Sequence, residues 1–123
     1  MVTVLGVALG GAAGGVLRYA LSGFVSRRIG ETFPWGTLAV NVTGCFAIGA
    51  LAPFLAEGSL ARAIALTGVL GGYTTVSSFS FQTLALMREA QWRAAALNCA
   101  LSVLLALGAA LAGIATSTAF SRP

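Results

Sequence analysis

The chain has 123 residues, 58% of them hydrophobic and 8% charged, with a mean hydropathy of +0.93. Soluble domains carry roughly 25% charged residues, so a disordered tail and an ordinary soluble domain are excluded. One membrane span takes about 20 residues and four take about 80, which makes the chain a small polytopic membrane protein with no room for a second domain. All seven basic residues are arginine, the acids are Glu31, Glu57 and Glu89, and Asp, Lys and His are absent. The arginines are too sparse to track phosphates, so no nucleic-acid partner is expected despite a pI of about 10.1.

The charges mark out four apolar stretches. The first is Met1–Leu17, followed by Arg18 and a further apolar turn to Ser26. It lacks the positive leader of a signal peptide. Gly6, Gly10 and Gly14 recur every fourth residue, a spacing that lays a smooth groove along one helix face. A retained packing helix is expected. Arg18 is costly in a span unless it snorkels or pairs. It is either an interfacial anchor or a structural arginine that bonds carbonyls or positions an anion.

The second stretch, Thr32–Ala56, carries Thr37 and Asn41 four residues apart and hence on one helix face. Their hydroxyl and amide can donate to an anion or bond a neighbouring helix. Cys45 here and Cys99 later lie in apolar runs without metal-like spacing and read as packing residues.

The third stretch, Ala63–Met87, is the most informative. Gly71 and Gly72 are followed by Thr74, Thr75, Ser77, Ser78 and Ser80, with Phe79 among them. Glycine costs about 1 kcal/mol relative to alanine in a helix, and hydroxyls compete for backbone bonds. A helix broken near mid-membrane is expected. Such backbone survives only inside protein or beside a watery cavity, where its carbonyls can hold a cation and its N–H groups and hydroxyls an anion. The fourth stretch, Ala94–Ser121, adds Asn98 and Ser102 on one face. One all-α domain over residues 1–123 follows, with four transmembrane helices and the third broken.

Loop arginines give a weak orientation signal. Arg27, Arg28, Arg88 and Arg93 fall on one side, and Arg62 and Arg122 on the other. The bias favours both termini outside and permits either insertion. No carboxylate or histidine lies inside a span, so neither a proton relay nor a catalytic arrangement is present in the sequence and no enzyme is expected. What remains is a neutral, donor-rich track with a phenyl ring whose positive edge suits a small hard anion.

Three segments resemble the Fluc/CrcB fluoride channels: Gly10–Tyr19, Gly36–Asn41 and Gly71–Ser80. The resemblance runs through the whole chain in the same order. It implies a dual-topology dimer of antiparallel subunits, with two pores at the interface. It implies passive fluoride export across a bacterial inner membrane, which relieves fluoride toxicity. It also implies a central, structural sodium ion held by the backbone carbonyls of Gly71 and Thr74. The fluoride pathway would then include Asn41, Phe79, Ser77, Ser78, Thr37, Asn98 and Ser102, with Arg18 and Thr75 structural.

Two positions depart from the family pattern. The family usually has two phenylalanines three apart; here Val76 takes the first place and Phe79 the second. Ala106 follows Ser102 where another polar residue is usual. The partner is therefore either a second copy with a modified pore or a paralogous subunit of opposite orientation. A small multidrug-type transporter is the rival of similar length, but it needs an embedded carboxylate. A purely structural subunit would not need the hydroxyl-rich break.

Overall fold

A computed structural model describes residues 1–120. Ser121 and Arg122, which entered the fourth stretch and the orientation count, lie outside the described residues. The fold is all-helical and forms four helical units. α1 (Val2–Ile29) runs 28 residues, so Arg18 sits well inside it. It ends at Gly30, whose φ of 108° leaves the helix while its N–H reaches the Ser26 carbonyl at 2.9 Å. Arg27 and Arg28 in the last turn complement the helix dipole, and the Arg28 guanidinium lies 5.2 Å from the centre of the Phe24 ring.

α2 (Trp35–Leu51) begins directly after Pro34 and continues into a 3-10 turn, Ala52–Phe54. Arg62 Nη1 donates to the Ala52 and Leu55 carbonyls at 2.8 and 2.9 Å, so carbonyls left open at this helix end find a partner. The next unit opens with a short turn, α3 (Leu60–Arg62), capped by the Ser59 hydroxyl. It widens into an eight-residue π-helix, Ala63–Leu70, and closes with α4 (Gly71–Tyr73). Thr74, Thr75 and Val76 are not helical, and α5 (Ser77–Arg88) follows. α6 (Trp92–Phe120) is the last helix.

Three helices are long and apolar enough to cross a membrane: Val2–Ile29, Trp35–Phe54 and Trp92–Phe120. Neither the π-helix nor the 12-residue α5 spans one alone. Large apolar side chains such as Leu9, Val16, Leu104, Leu107 and Leu111 are exposed on the outer helices. Lipid tails are as apolar as these residues, so a bilayer removes the cost that water would impose.

Packing follows the glycines. Gly10 and Gly14 are the buried residues of α1, and they face the π-helix. A methyl group on Gly14 would overlap the Val69 carbonyl, and one on Gly72 would overlap the Gly11 carbonyl. Backbones therefore touch along this seam, which is what small residues at four-residue spacing permit. α2 and α6 form a second such pair, where a methyl on Gly49 or Gly113 would meet the opposite helix's backbone. The two pairs bring the Thr74–Val76 segment against α1 and α2.

Candidate functional site

The site is built around three residues that have left the helix. Thr74 is extended, with ψ 158°, so its carbonyl turns away from the helical ladder. Its N–H and its Oγ1–H both donate to the Leu70 carbonyl at 3.0 Å, which ties the end of α4 down. The next peptide is fixed from α2. Asn41 Nδ2 donates to the Thr75 carbonyl at 2.8 Å, and the Thr75 N–H donates to Asn41 Oδ1 at 2.8 Å. The amide thus stands in for the strand or helix partner that this peptide lacks.

Arg18 completes the enclosure. Its Nη1 donates to the Thr74 carbonyl at 3.3 Å. Of the two sequence readings of Arg18, the carbonyl-bonding one describes the side chain. Thr75 is buried, and its Oγ1 donates to Ser78 Oγ at 3.2 Å and lies 3.2 Å from Ser77 Oγ. The same Oγ1 accepts the Ser78 N–H at 3.2 Å, which starts α5.

A pocket of about 220 Å³ opens here, lined in part by Arg18, Ser22, Thr37, Thr75 and Ser78. Arg18 is the single charge in its lining. Ser78 also lines a second pocket of about 420 Å³ with Ser77, Phe81 and Gln82. Gln82 in turn lines a third, of about 410 Å³, with Glu31 and Glu89 among its walls. The three pockets thus lie in succession from the non-helical segment towards the α1–α2 and α5–α6 connections, with Ser78 and Gln82 each walling two of them. Chemically the inner pocket offers one guanidinium and five hydroxyls, the Tyr19 phenol among them, a donor set for an anion, and no carboxylate.

Most of the sequence-derived residues converge. Arg18, Thr37, Asn41, Thr74, Thr75, Ser77 and Ser78 lie at this one locus, with Gly71 three residues before Thr74. Phe79 follows on α5, half-buried. Asn98 goes elsewhere: it is 2% exposed, and its Nδ2 donates to Thr83 Oγ1 at 2.9 Å. Ser102 lies a turn further along α6, half-buried. Val76 is 76% exposed.

Three residues were missed from sequence. Ser22 is four residues after Arg18 on one face of α1 and lines the inner pocket, so the spacing could have found it. Gln82 and Thr83 are polar residues in the same apolar stretch as the hydroxyl cluster. Only their position beyond the cluster kept them out of the candidate set.

The fold and this site define a small helical membrane protein with a donor-lined interruption between two helices. Residues 5–114 match the family described as CrcB-like protein, Camphor Resistance (CrcB), and the chain belongs to that family. It is 51% identical over 113 residues to a protein of Opitutus terrae named fluoride-specific ion channel FluC, covering 87% of this chain and 86% of that one. It is 49% identical over 120 residues to fluoride-specific ion channel FluC 2 of Rhodopseudomonas palustris, covering 93% and 92%. It is 48% identical over 113 residues to fluoride-specific ion channel FluC 4 of Brucella abortus, covering 87% and 85%.

Proposed function

We propose that this chain is a subunit of a passive, fluoride-specific ion channel of a bacterial inner membrane, which lets fluoride leave the cytoplasm. One observation carries the reading: Arg18 of α1, Thr37 of α2, Thr75 of the non-helical segment and Ser78 of α5 line a common pocket whose lining holds no acid. Similarity at about half identity to proteins named for fluoride conduction supports it. Fluoride gives up water only where donors replace it, and hydroxyls and a guanidinium are such donors. No energy source is implied, because the acids of the chain all lie in connections.

The helical segments from Leu60 to Arg88 make one membrane crossing, broken at Thr74–Val76. Polar backbone at that depth requires protein around it. The exposure of Ser77, Val76 and Phe81 supports a protein cover over this face. The cover is a second subunit inserted antiparallel, so that two pathways run along the interface. Along each, Thr37, Ser77, Ser78 and Ser102 take over fluoride's hydration, and Phe79 adds a ring edge. Asn41 and Thr75 hold the segment in shape.

This reading includes a sodium ion at the carbonyls of Gly71 and Thr74, the second of which also accepts from the Arg18 guanidinium. They are neutral, hard oxygen donors, and the one on Thr74 is released from the helix. When bound, the ion offsets negative charge at the low-dielectric centre. Arg18 keeps the Thr74 oxygen aimed away from α4.

A second reading concerns the partner. Val76 leaves a surface position beside the segment without a ring, and relatives carry numbers in their names, which supports a paralogous partner. Proteoliposomes loaded with fluoride test both readings with a fluoride electrode. Efflux from the purified chain alone, with chloride retained, supports the homodimer. Efflux that appears only after co-reconstitution with a paralogue supports the heterodimer. Equal release of chloride and fluoride removes the fluoride assignment.

A further inference from the structure

We infer that Thr83, held by Asn98, is a positioning residue that sets how α5 presents Phe79 and the hydroxyls of Ser77 and Ser78. The functional half of this inference rests on the channel reading above. Leu86 is the one buried residue of α5, while Ser77, Ser80, Phe81, Leu84 and Met87 are exposed. Apolar packing therefore does little to fix the rotation of this helix about its axis. Its start is held through Thr75 by Asn41. Its middle is held by one polar link to α6, from Asn98 Nδ2 to Thr83 Oγ1 at 2.9 Å.

The directions of the bonds make the link a relay. A hydroxyl has a single proton, and Thr83 Oγ1 gives its proton to the Phe79 carbonyl at 2.8 Å. Its lone pairs are left to accept from Asn98, whose amide can only donate there. A threonine bonded back one turn often bends a helix locally, and here the carbonyl it bonds is that of Phe79. Asn98, almost fully buried on the 29-residue α6, thus grips the Phe79 peptide through Thr83. Thr83 lines neither pocket that holds the Ser77 and Ser78 hydroxyls, so it acts through Phe79 and not on the ion. The same geometry gives Asn98, placed on the ion path by the family resemblance, a supporting task.

The test compares wild type, Thr83→Val, Thr83→Ser, Asn98→Leu and the Val/Leu double variant in fluoride-loaded proteoliposomes. A 4-fluorophenylalanine at Phe79 serves as a 19F-NMR reporter in parallel. Thr83→Val and Asn98→Leu should each lower fluoride efflux about tenfold, and the double variant should fall no further than the worse single. Thr83→Ser keeps the hydroxyl and should restore both efflux and the reporter's shift. Thr83→Ala takes the place of the valine variant if that one does not assemble as a monodisperse species. Independent, multiplying losses from the two sites would overturn the relay and return Asn98 to the ion path. So would an unmoved reporter and wild-type efflux in Thr83→Val. If the wild type carries no fluoride either alone or with a paralogue, the channel reading fails while the reporter still decides the positioning of Phe79.

Discussion

Asn41 presents a donor and an acceptor, and both meet the main chain of Thr75 at 2.8 Å. Aspartate at this position keeps the acceptor and loses the donor. Its second oxygen would then face the Thr75 carbonyl, two acceptors in contact, at a place where unmade bonds are expensive. Asn41→Asp should therefore open the Thr75 turn and put negative charge beside the donor pocket, lowering fluoride efflux by at least about tenfold. Unchanged efflux in the same liposome assay would remove Asn41 from both tasks. The sequence had marked this asparagine as polar, in-span and in step with Thr37. It could not say that the amide's partner is a peptide 34 residues away, because spacing within a helix reports which residues share a face and not what that face meets. Arg18 shows the same limit. Its cost in a span was evident, and the carbonyl that relieves it became visible only with the fold. Thr83 shows the opposite case, a residue unremarkable in composition whose importance comes wholly from Asn98 across the helix pair.

Among the elements, the four apolar stretches read from charge spacing correspond to the four helical units. The third unit's irregularity was also foreshadowed by Gly71, Gly72 and the hydroxyls after them. The π-helix at Ala63–Leu70 was not foreshadowed. Its residues are mostly ordinary apolar ones, and its Gly68 lies against the backbone of Val7 and Gly10 in α1. Nor did any glycine mark the end of α5. Ala90 takes the left-handed conformation, φ 58°, while Gln91 N–H bonds the Leu86 carbonyl at 2.8 Å and Ala90 N–H bonds the Met87 carbonyl at 3.0 Å. This is the double bond pattern that usually has glycine at the left-handed place. The glycine seam supplies a sharper expectation. Gly14→Ala would drive a methyl into the Val69 backbone, whereas Gly108 has nothing within 4 Å of its added methyl. Overpacking typically costs about 1–3 kcal/mol. Thermal melts followed by size-exclusion chromatography should show a clear loss of stability for Gly14→Ala and none for Gly108→Ala. Equal behaviour of the two would mean that the seam is looser than its geometry.

For the whole molecule, the uneven distribution of polar groups has the largest consequence. One flank of α5 is open, with Phe81 73% exposed and Val76 beside the interrupted segment 76% exposed. In a pair of identical chains, each pathway then receives one ring from Phe79 and a bare aliphatic group from Val76. Val76→Phe supplies a second positive ring edge at that exposed position. If identical chains pair as proposed, the substitution should raise fluoride efflux of the lone chain by several-fold with chloride still excluded. Efflux no higher than wild type would show that the position does not border the path.

The seam between α1 and the π-helix also bears on how the chain enters a membrane during synthesis. α1, α2 and α6 are apolar enough to partition into lipid unaided. The Ala63–Arg88 region is interrupted at Thr74–Val76, where main-chain groups leave the helical ladder and hydroxyls cluster, and lipid offers none of them a partner. By the time this region emerges from the ribosome, α1 and α2 have already been made, and with them Arg18, Asn41 and the bare backbone of Gly10 and Gly14. The earlier helices therefore act as an internal receptor for the later one. If this region crosses the membrane as proposed, chain order is part of what makes it insertable: the same segment placed first in the chain would have nothing to enter against.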